Sequence, residues 1–436
     1  MPYVHFDEAK RAAEAALADW LNKMDRTVES VLLVRDLFGK FRLAIWASDA
    51  IETAGIAETL AERCDAWWTG EVLQIRDSDE ITRKLYDEAA RLGQSSENHA
   101  RLHVLDRHRT RAGWFAEEPE PLWSTADGHC PIVVFYSFKG GLGRSTCLAS
   151  FAIQRARAGD RVCVLDLDLD SPGVGRLLAS DVDGLTAPWG VVDFLVEHPP
   201  ADTSLADYYH RCDRVAGTGE LIVFPAGRMN ETYADKLARV DMEDPVPAPE
   251  SALGTLLLRA RNELKPRWIL IDARTGISES AGRLLSGLAH LHVLLGTTQD
   301  QSWQGLNRVL DRLGKVRVER GLPQHEVLIV QAMVPPGGEA GRMARDAFSA
   351  RSEREFTDRY YAAEDLKDAD DTFAATLWTT RDMDDRTAPN EPVPISYEAK
   401  LADFGDIAEI ADLLCTGPYA DIATRIEERF QVEVDA

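Results

Sequence analysis

The sequence predicts a doubly wound, mostly parallel α/β sheet preceded by a small α+β domain. Three observations carry this. From residue 131 onward, continuous apolar runs alternate with helix-like stretches. A glycine-rich loop joins the first of those runs to the helix after it. Before residue 116 the pattern differs, with a hairpin signal and three amphipathic stretches.

The 436 residues leave room for two or three domains, at roughly 150 residues each. Residues 1–115 are expected to form the first. Phe6, Ala9, Ala13, Leu17, Trp20 and Leu21 recur at helical spacing and predict an opening helix. The β-rich runs Ser30–Asp36 and Phe41–Ala47 flank the turn signal at Gly39 and predict a hairpin. A helix over Ile51–Cys64, a strand over Glu71–Ile75, a helix over Asp79–Leu92 and an extended piece over Arg101–Leu105 complete it. This domain carries no chemical signature; its Trp67, Trp68 and Trp114 read as core or interface. Residues 116–130, rich in Pro, Glu and Gly, read as a linker.

The remainder, 131–436, reads as repeated strand–helix units. PIVVFYSF, RVCVLDLD, LIVFPAG, WILID, HLHVLLGTT and EVLIVQAMV are continuous apolar runs, as strands buried on both faces require. Arg144–Ala158 predicts a helix stopped by Gly159, and Val393–Glu398 a last short strand. Residues 340–390 are charged and helix-prone, with an acidic cluster at Glu364–Asp371, and read as a peripheral region.

Composition narrows the function classes. No apolar run approaches the roughly 18 residues of a membrane span, and the acidic N-terminus lacks a signal-peptide pattern. A cytoplasmic location follows as the expectation. The formal net charge of −24 disfavours nucleic-acid backbones as partners. Six scattered cysteines without a CxxC pair read as free thiols, and ten dispersed histidines as surface or core residues.

Chemistry concentrates in three motifs. In FKGGLGRST, Gly140, Gly141 and Gly143 allow a tight turn whose bare backbone N–H groups approach a ligand closely. The helix N-terminus that follows favours anions, Lys139 and Arg144 add full charges, and Ser145 offers a hydroxyl to a magnesium ion. Together with Leu142 and Thr146 these residues form a triphosphate cradle. In DLDLDSPG, alternation aims Asp166, Asp168 and Asp170 to one side if the strand runs that far. In WILIDARTG, Asp272 ends a buried strand, the place for a carboxylate that holds magnesium through water.

These motifs, in this order, resemble those of the ParA/MinD-type P-loop ATPases, over about the last 300 residues. Lys139 stands at the position of the family's signature lysine. Arg144 departs from the usual lysine, so the loop is similar to a KGGVGR-type variant subgroup associated with bacterial conflict systems. The resemblance implies a doubly wound P-loop (SIMIBI-type) sheet, ATP with Mg2+, and an ATP-dependent homodimer in which Lys139 reaches the partner's phosphates. It also implies a magnesium role for Ser145, Asp166 and Asp272, and a water-positioning role for Asp168. Lys139, Arg144 and Asp168 are thus the expected catalytic set. Arginine for lysine makes nucleotide binding a firmer expectation than fast hydrolysis.

Arg274 stays open between a phosphate or partner-subunit contact and an ordinary ion pair. Gln331, Pro394 and Tyr397 are weaker candidates near a nucleotide base, and residues 294–305 resemble the loop that follows in the family. The leading expectation is a Mg-dependent ATPase switch with a protein partner for residues 1–115. The alternative is a nucleotide-binding scaffold with little turnover. The acidic tail argues against membrane docking.

Overall fold

The computed structural model describes residues 4–24, 27–75, 80–107, 114, 121–125, 128–181, 183–240, 250–364 and 376–430. His108, residues 116–120 of the expected linker, and 365–371 of the acidic cluster lie outside these. The chain divides into two compact units, Met1–Thr110 and Arg111–Ala436.

In the first unit the order is α1 (Phe6–Leu21), β1 (Val28–Arg35), β2 (Phe41–Ala47), α2 (Ala54–Cys64), β3 (Trp68–Ile75), α3 (Glu80–Leu92), β4 (Gln94–Ser95) and β5 (Leu102–Asp106). The five strands form one sheet in the order β3-β2-β1-β5-β4. β1 and β2 are the expected antiparallel hairpin, while β1 and β5 pair in parallel. Alternation along β1 sends Val31 and Leu33 toward α1 and α2, and Leu32 to the other face with Tyr86 of α3. Phe6 stays 43% exposed, lying edge-on to Trp67 at 5.2 Å with the Arg35 guanidinium 4.1 Å from its ring centre. A ring caught between a cation and an indole gains without entering the core.

The second unit holds an eight-stranded sheet: β6 (Ile132–Ser137), β7 (Arg161–Leu167), β8 (His210–Arg211), β9 (Glu220–Phe224), β10 (Trp268–Ala273), β11 (Leu291–Gly296), β12 (Glu326–Val334) and β13 (Val393–Ser396). Its order is β13-β12-β11-β6-β10-β7-β9-β8. Every pairing is parallel except β8 with β9, a two-residue edge that no apolar run announces. Ile132, Val134 and Tyr136 of β6 enter one core and Val133 and Phe135 the other. This is the doubly wound, mostly parallel sheet that the sequence predicts.

Trp123 and Cys130, from the stretch read as linker, belong to the first of those cores. The indole of Trp123 donates to the Cys130 carbonyl at 2.7 Å, which satisfies its polar edge inside the core. α4 (Arg144–Arg157) packs on the opposite face through Cys147, Leu148 and Phe151. The helix Pro418–Glu428 covers it there with Tyr419, Ile422 and Ile426. Ser150 and Gln154 of α4 both donate to the Leu414 carbonyl, at 2.7 and 3.0 Å. Among the described residues no helix is long and apolar enough to cross a membrane.

Two details of this unit give measurable consequences. The Phe138 ring, which opens the glycine-rich loop, lies over Gly305 in the helix Asp300–Leu313, where an added Cβ would meet ring atoms at about 2 Å. Gly→Ala inside a helix normally adds roughly 1 kcal/mol of stability. At Gly305 the sign is expected to reverse, with a lower melting temperature and displacement of Phe138. The buried His292 and His325 rings lie 5.4 Å apart. Burial pushes His292 down to about 4, and burial with the His292 charge pushes His325 well below its usual range. Unfolded imidazoles titrate near 6.5. Between those limits the unfolded chain binds more protons, so this stability is present above pH 6.5 and lost as pH falls toward 4. Thermal stability is therefore expected to fall steeply from pH 7 to 5, and His325→Gln to flatten that fall.

Candidate functional site

The site lies at the carboxyl ends of β6, β7 and β10, where parallel α/β sheets place their ligands. β6 ends at Ser137 and the chain turns through residues 138–143 into α4. Gly141 and Gly143 adopt φ of +75° and +81°, a region that costs other residues about 1–2 kcal/mol. A Cβ on Gly140, Gly141 or Gly143 would have nothing within 4 Å. The loop therefore leaves its backbone bare toward open space, as a phosphate cradle requires. Gly143 is the N-cap of α4, so the helix end points its unpaired N–H groups at that space.

The carboxylates arrive by register. Asp272 of β10 pairs directly with Asp166 of β7, and neither is exposed. Asp166 accepts hydrogen bonds from the backbone N–H groups of Gly173 and Gly175, both at 3.1 Å. Burial pushes its pKa up to about 7, aided by the Asp272 charge and opposed by those two bonds. β7 stops at Leu167, so the expected row of three aspartates does not form. Asp168 turns inward and is 6% exposed, whereas Asp170 lies outside and pairs with Arg274. For Arg274 the ion pair is thus what the structure contains.

The Arg144 guanidinium bridges two carboxylates. Nε donates to Asp272 at 2.5 Å and Nη2 to Asp168 at 2.7 Å. Burial disfavours its charge, but Asp272 and Asp168 outweigh that and push its pKa up. Ser145 donates to the other oxygen of Asp272 at 2.6 Å. Despite Arg144 and Ser145, burial leaves Asp272 above the ordinary carboxylate range. The clamp is incomplete, because Nη1 of Arg144 and Oδ1 of Asp168 are buried without a partner.

Lys139 reaches away from this cluster and donates to Gln299 at 2.8 Å, a contact the sequence reading did not identify. Gln299 precedes the helix Asp300–Leu313, so only the fold brings it to the loop. Tyr136 donates to the Gly276 carbonyl at 3.0 Å and ties β6 to the loop after Asp272. A cleft of about 430 Å³ opens beside that loop, lined by Leu169, Asp170, Leu237, Val240, Arg274 and Thr275. Gln331 is buried and donates to the Ala344 carbonyl at 2.9 Å, while Tyr397 is 47% exposed.

Magnesium fits this donor set in one way. Ser145, Asp166, Asp168 and Asp272 supply hard oxygens, and Asp168 Oδ1 is an unpaired acceptor. Yet among the described residues no group of three or more His, Cys, Asp or Glu side chains is arranged to hold a metal. Magnesium commonly binds through one or two carboxylates together with substrate phosphates, and Ser145 with Asp272 suits that arrangement.

No protein-family model matches the chain. A stretch of 97 residues is 33% identical to the cytosolic Fe-S cluster assembly factor cfd1 of Neurospora crassa, covering 22% of this chain and 28% of that protein. A stretch of 47 residues is 40% identical to the cytosolic Fe-S cluster assembly factor NUBP2 homolog of Trichoplax adhaerens, covering 11% and 18%. The matches thus span less than a third of those relatives' length. Among solved structures the chain is similar to pNOB8 ParA bound to nonspecific DNA, with TM-score 0.42, 14% identity, and 69% and 98% of the two chains covered. The MinC:MinD cell division complex of Aquifex aeolicus gives TM-score 0.42 at 15% identity, covering 70% and 97%. Strand order, the glycine loop ahead of α4, and paired carboxylates at the ends of β7 and β10 give residues 111–436 a doubly wound, mostly parallel P-loop α/β fold.

Proposed function

We propose that this protein is a magnesium- and ATP-dependent molecular switch of the ParA/MinD type. The observation that carries the reading is the bare loop of Gly140, Gly141 and Gly143 over the hydrogen-bonded Asp272–Ser145 pair. In this reading the backbone N–H groups of residues 140–146 hold the phosphates, with Lys139 and Arg144 as full positive charges. Ser145, Asp272 and Asp166 hold the magnesium, which neutralises phosphate charge when bound. Asp168 orients the attacking water. Lys139, near the surface on Gln299, turns to the phosphates of a second copy in an ATP-dependent homodimer.

The first unit is the proposed docking module for a protein partner, since its hairpin turn presents Phe38 at 74% exposure. Nucleic acid remains disfavoured by the net charge of −24. A setting in bacterial conflict or defence, in the cytoplasm, belongs to the proposal through the arginine variant of the loop alone.

The Arg144 clamp favours a second version of the same site, a scaffold that binds nucleotide with little turnover. Phosphate release separates the two. Under the switch reading Asp168→Ala retains ATP binding but loses turnover by about 10²-fold or more. No turnover in the wild type under any condition leaves the scaffold. Light scattering with ATP and Mg2+ against ADP is expected to show a monomer-to-dimer shift that Lys139→Ala abolishes. An unchanged mass despite tight binding would remove the dimer from the reading.

A further inference from the structure

We propose that Arg144 is a tethered counter-ion that keeps a divalent cation off the Asp168–Asp272 pair until a nucleoside triphosphate draws the guanidinium away. The inference rests on the nucleotide-binding reading above and specifies the order of loading.

The argument begins with charge. Asp166, Asp168 and Asp272 gather three carboxyl groups at 6% exposure or less. The guanidinium of Arg144 contacts two of them, at 2.5 and 2.7 Å, and is itself only 7% exposed. A dication entering between Asp168 and Asp272 competes for two oxygens that Arg144 already holds, Asp272 Oδ1 and Asp168 Oδ2. It must displace a donor whose removal leaves a buried charge unpaired. A lysine at this position places one compact charge and cannot bridge two carboxylates with a planar fork. The block is therefore a property of the arginine.

The incomplete clamp shows where release begins. Arg144 Nη1 is buried and unpartnered, and Arg144 opens α4, directly after the bare loop. Phosphate oxygens in the loop would satisfy that donor and offer bidentate acceptors for the others. As the guanidinium leaves, Asp168 and Asp272 become free to bind a cation. The absence of a three-ligand protein site among the described residues agrees with a cation that arrives with the phosphates.

The test is Mn2+ binding to the full chain without nucleotide, read by electron paramagnetic resonance, on wild type, Arg144→Gln and Arg144→Lys. Wild type is expected to bind weakly, Arg144→Gln roughly tenfold more tightly or better, and Arg144→Lys in between. Asp272→Asn added to Arg144→Gln is expected to abolish the gain. Equal Mn2+ affinity in wild type and Arg144→Gln, or no binding by a folded Arg144→Gln, overturns the inference. Circular dichroism checks folding, and if Arg144→Gln is unfolded the comparison with Arg144→Lys decides alone, with equal affinity overturning the inference. A fluorescent ATP analogue with Mg2+ is titrated in parallel on wild type. Its failure to bind sinks the functional reading itself, a result distinct from any Mn2+ outcome.

Discussion

The parallel register of β7 and β10 is the constraint from which the rest of the second unit follows. It sets Asp166 and Asp272 side by side with no solvent contact. Two ionised carboxylates cannot share such a place without compensation. The fold answers with different means for each. Asp166 receives backbone N–H groups from 173 and 175, which fixes the path of the chain leaving β7. Asp272 receives Ser145 and Arg144, which fixes the first turn of α4 and hence the loop before it. The geometry of the cradle is thus inseparable from the electrostatics beneath it.

Most of the scaffold was legible because strands buried on both faces leave continuous apolar runs, as at Ile132–Ser137 and Leu291–Gly296. The hairpin of the first unit was legible from alternation around Gly39, which takes a φ of +82°. β8 was not, since two residues at an edge carry no pattern. The loop, Asp166 and Asp272 were legible as strand-end features with known chemistry. The Arg144 clamp was not. Its partners lie 24 and 128 residues away, and only strand order decides which carboxylate faces which. The same holds for Gln299, 160 residues from Lys139. Asp170 leaves the row because β7 ends at Leu167, three residues before it.

The first unit illustrates a different economy. Its sheet has helices on both faces, and on the α3 side Leu32, Ile75 and Tyr86 cluster separately among the described residues. The larger core lies under α1 and α2, where Ala9, Ala13 and Ala16 let α1 sit close to the strands. Phe6 shows why helical spacing alone overstates burial. A residue in the first turn satisfies the period yet has neighbours on only one side.

Trp114 has a bearing on the loop that follows Asp272. It stands four residues beyond Thr110, where the first unit ends in sequence. Its indole donates to the Ser278 carbonyl at 2.6 Å and lies so close to Gly282 that no side chain fits there. Position 114 is therefore fastened to the segment just past Asp272. That fastening is a mechanical handle inside the second unit: whatever shifts residues 274–282 pulls on Trp114, without a dedicated relay.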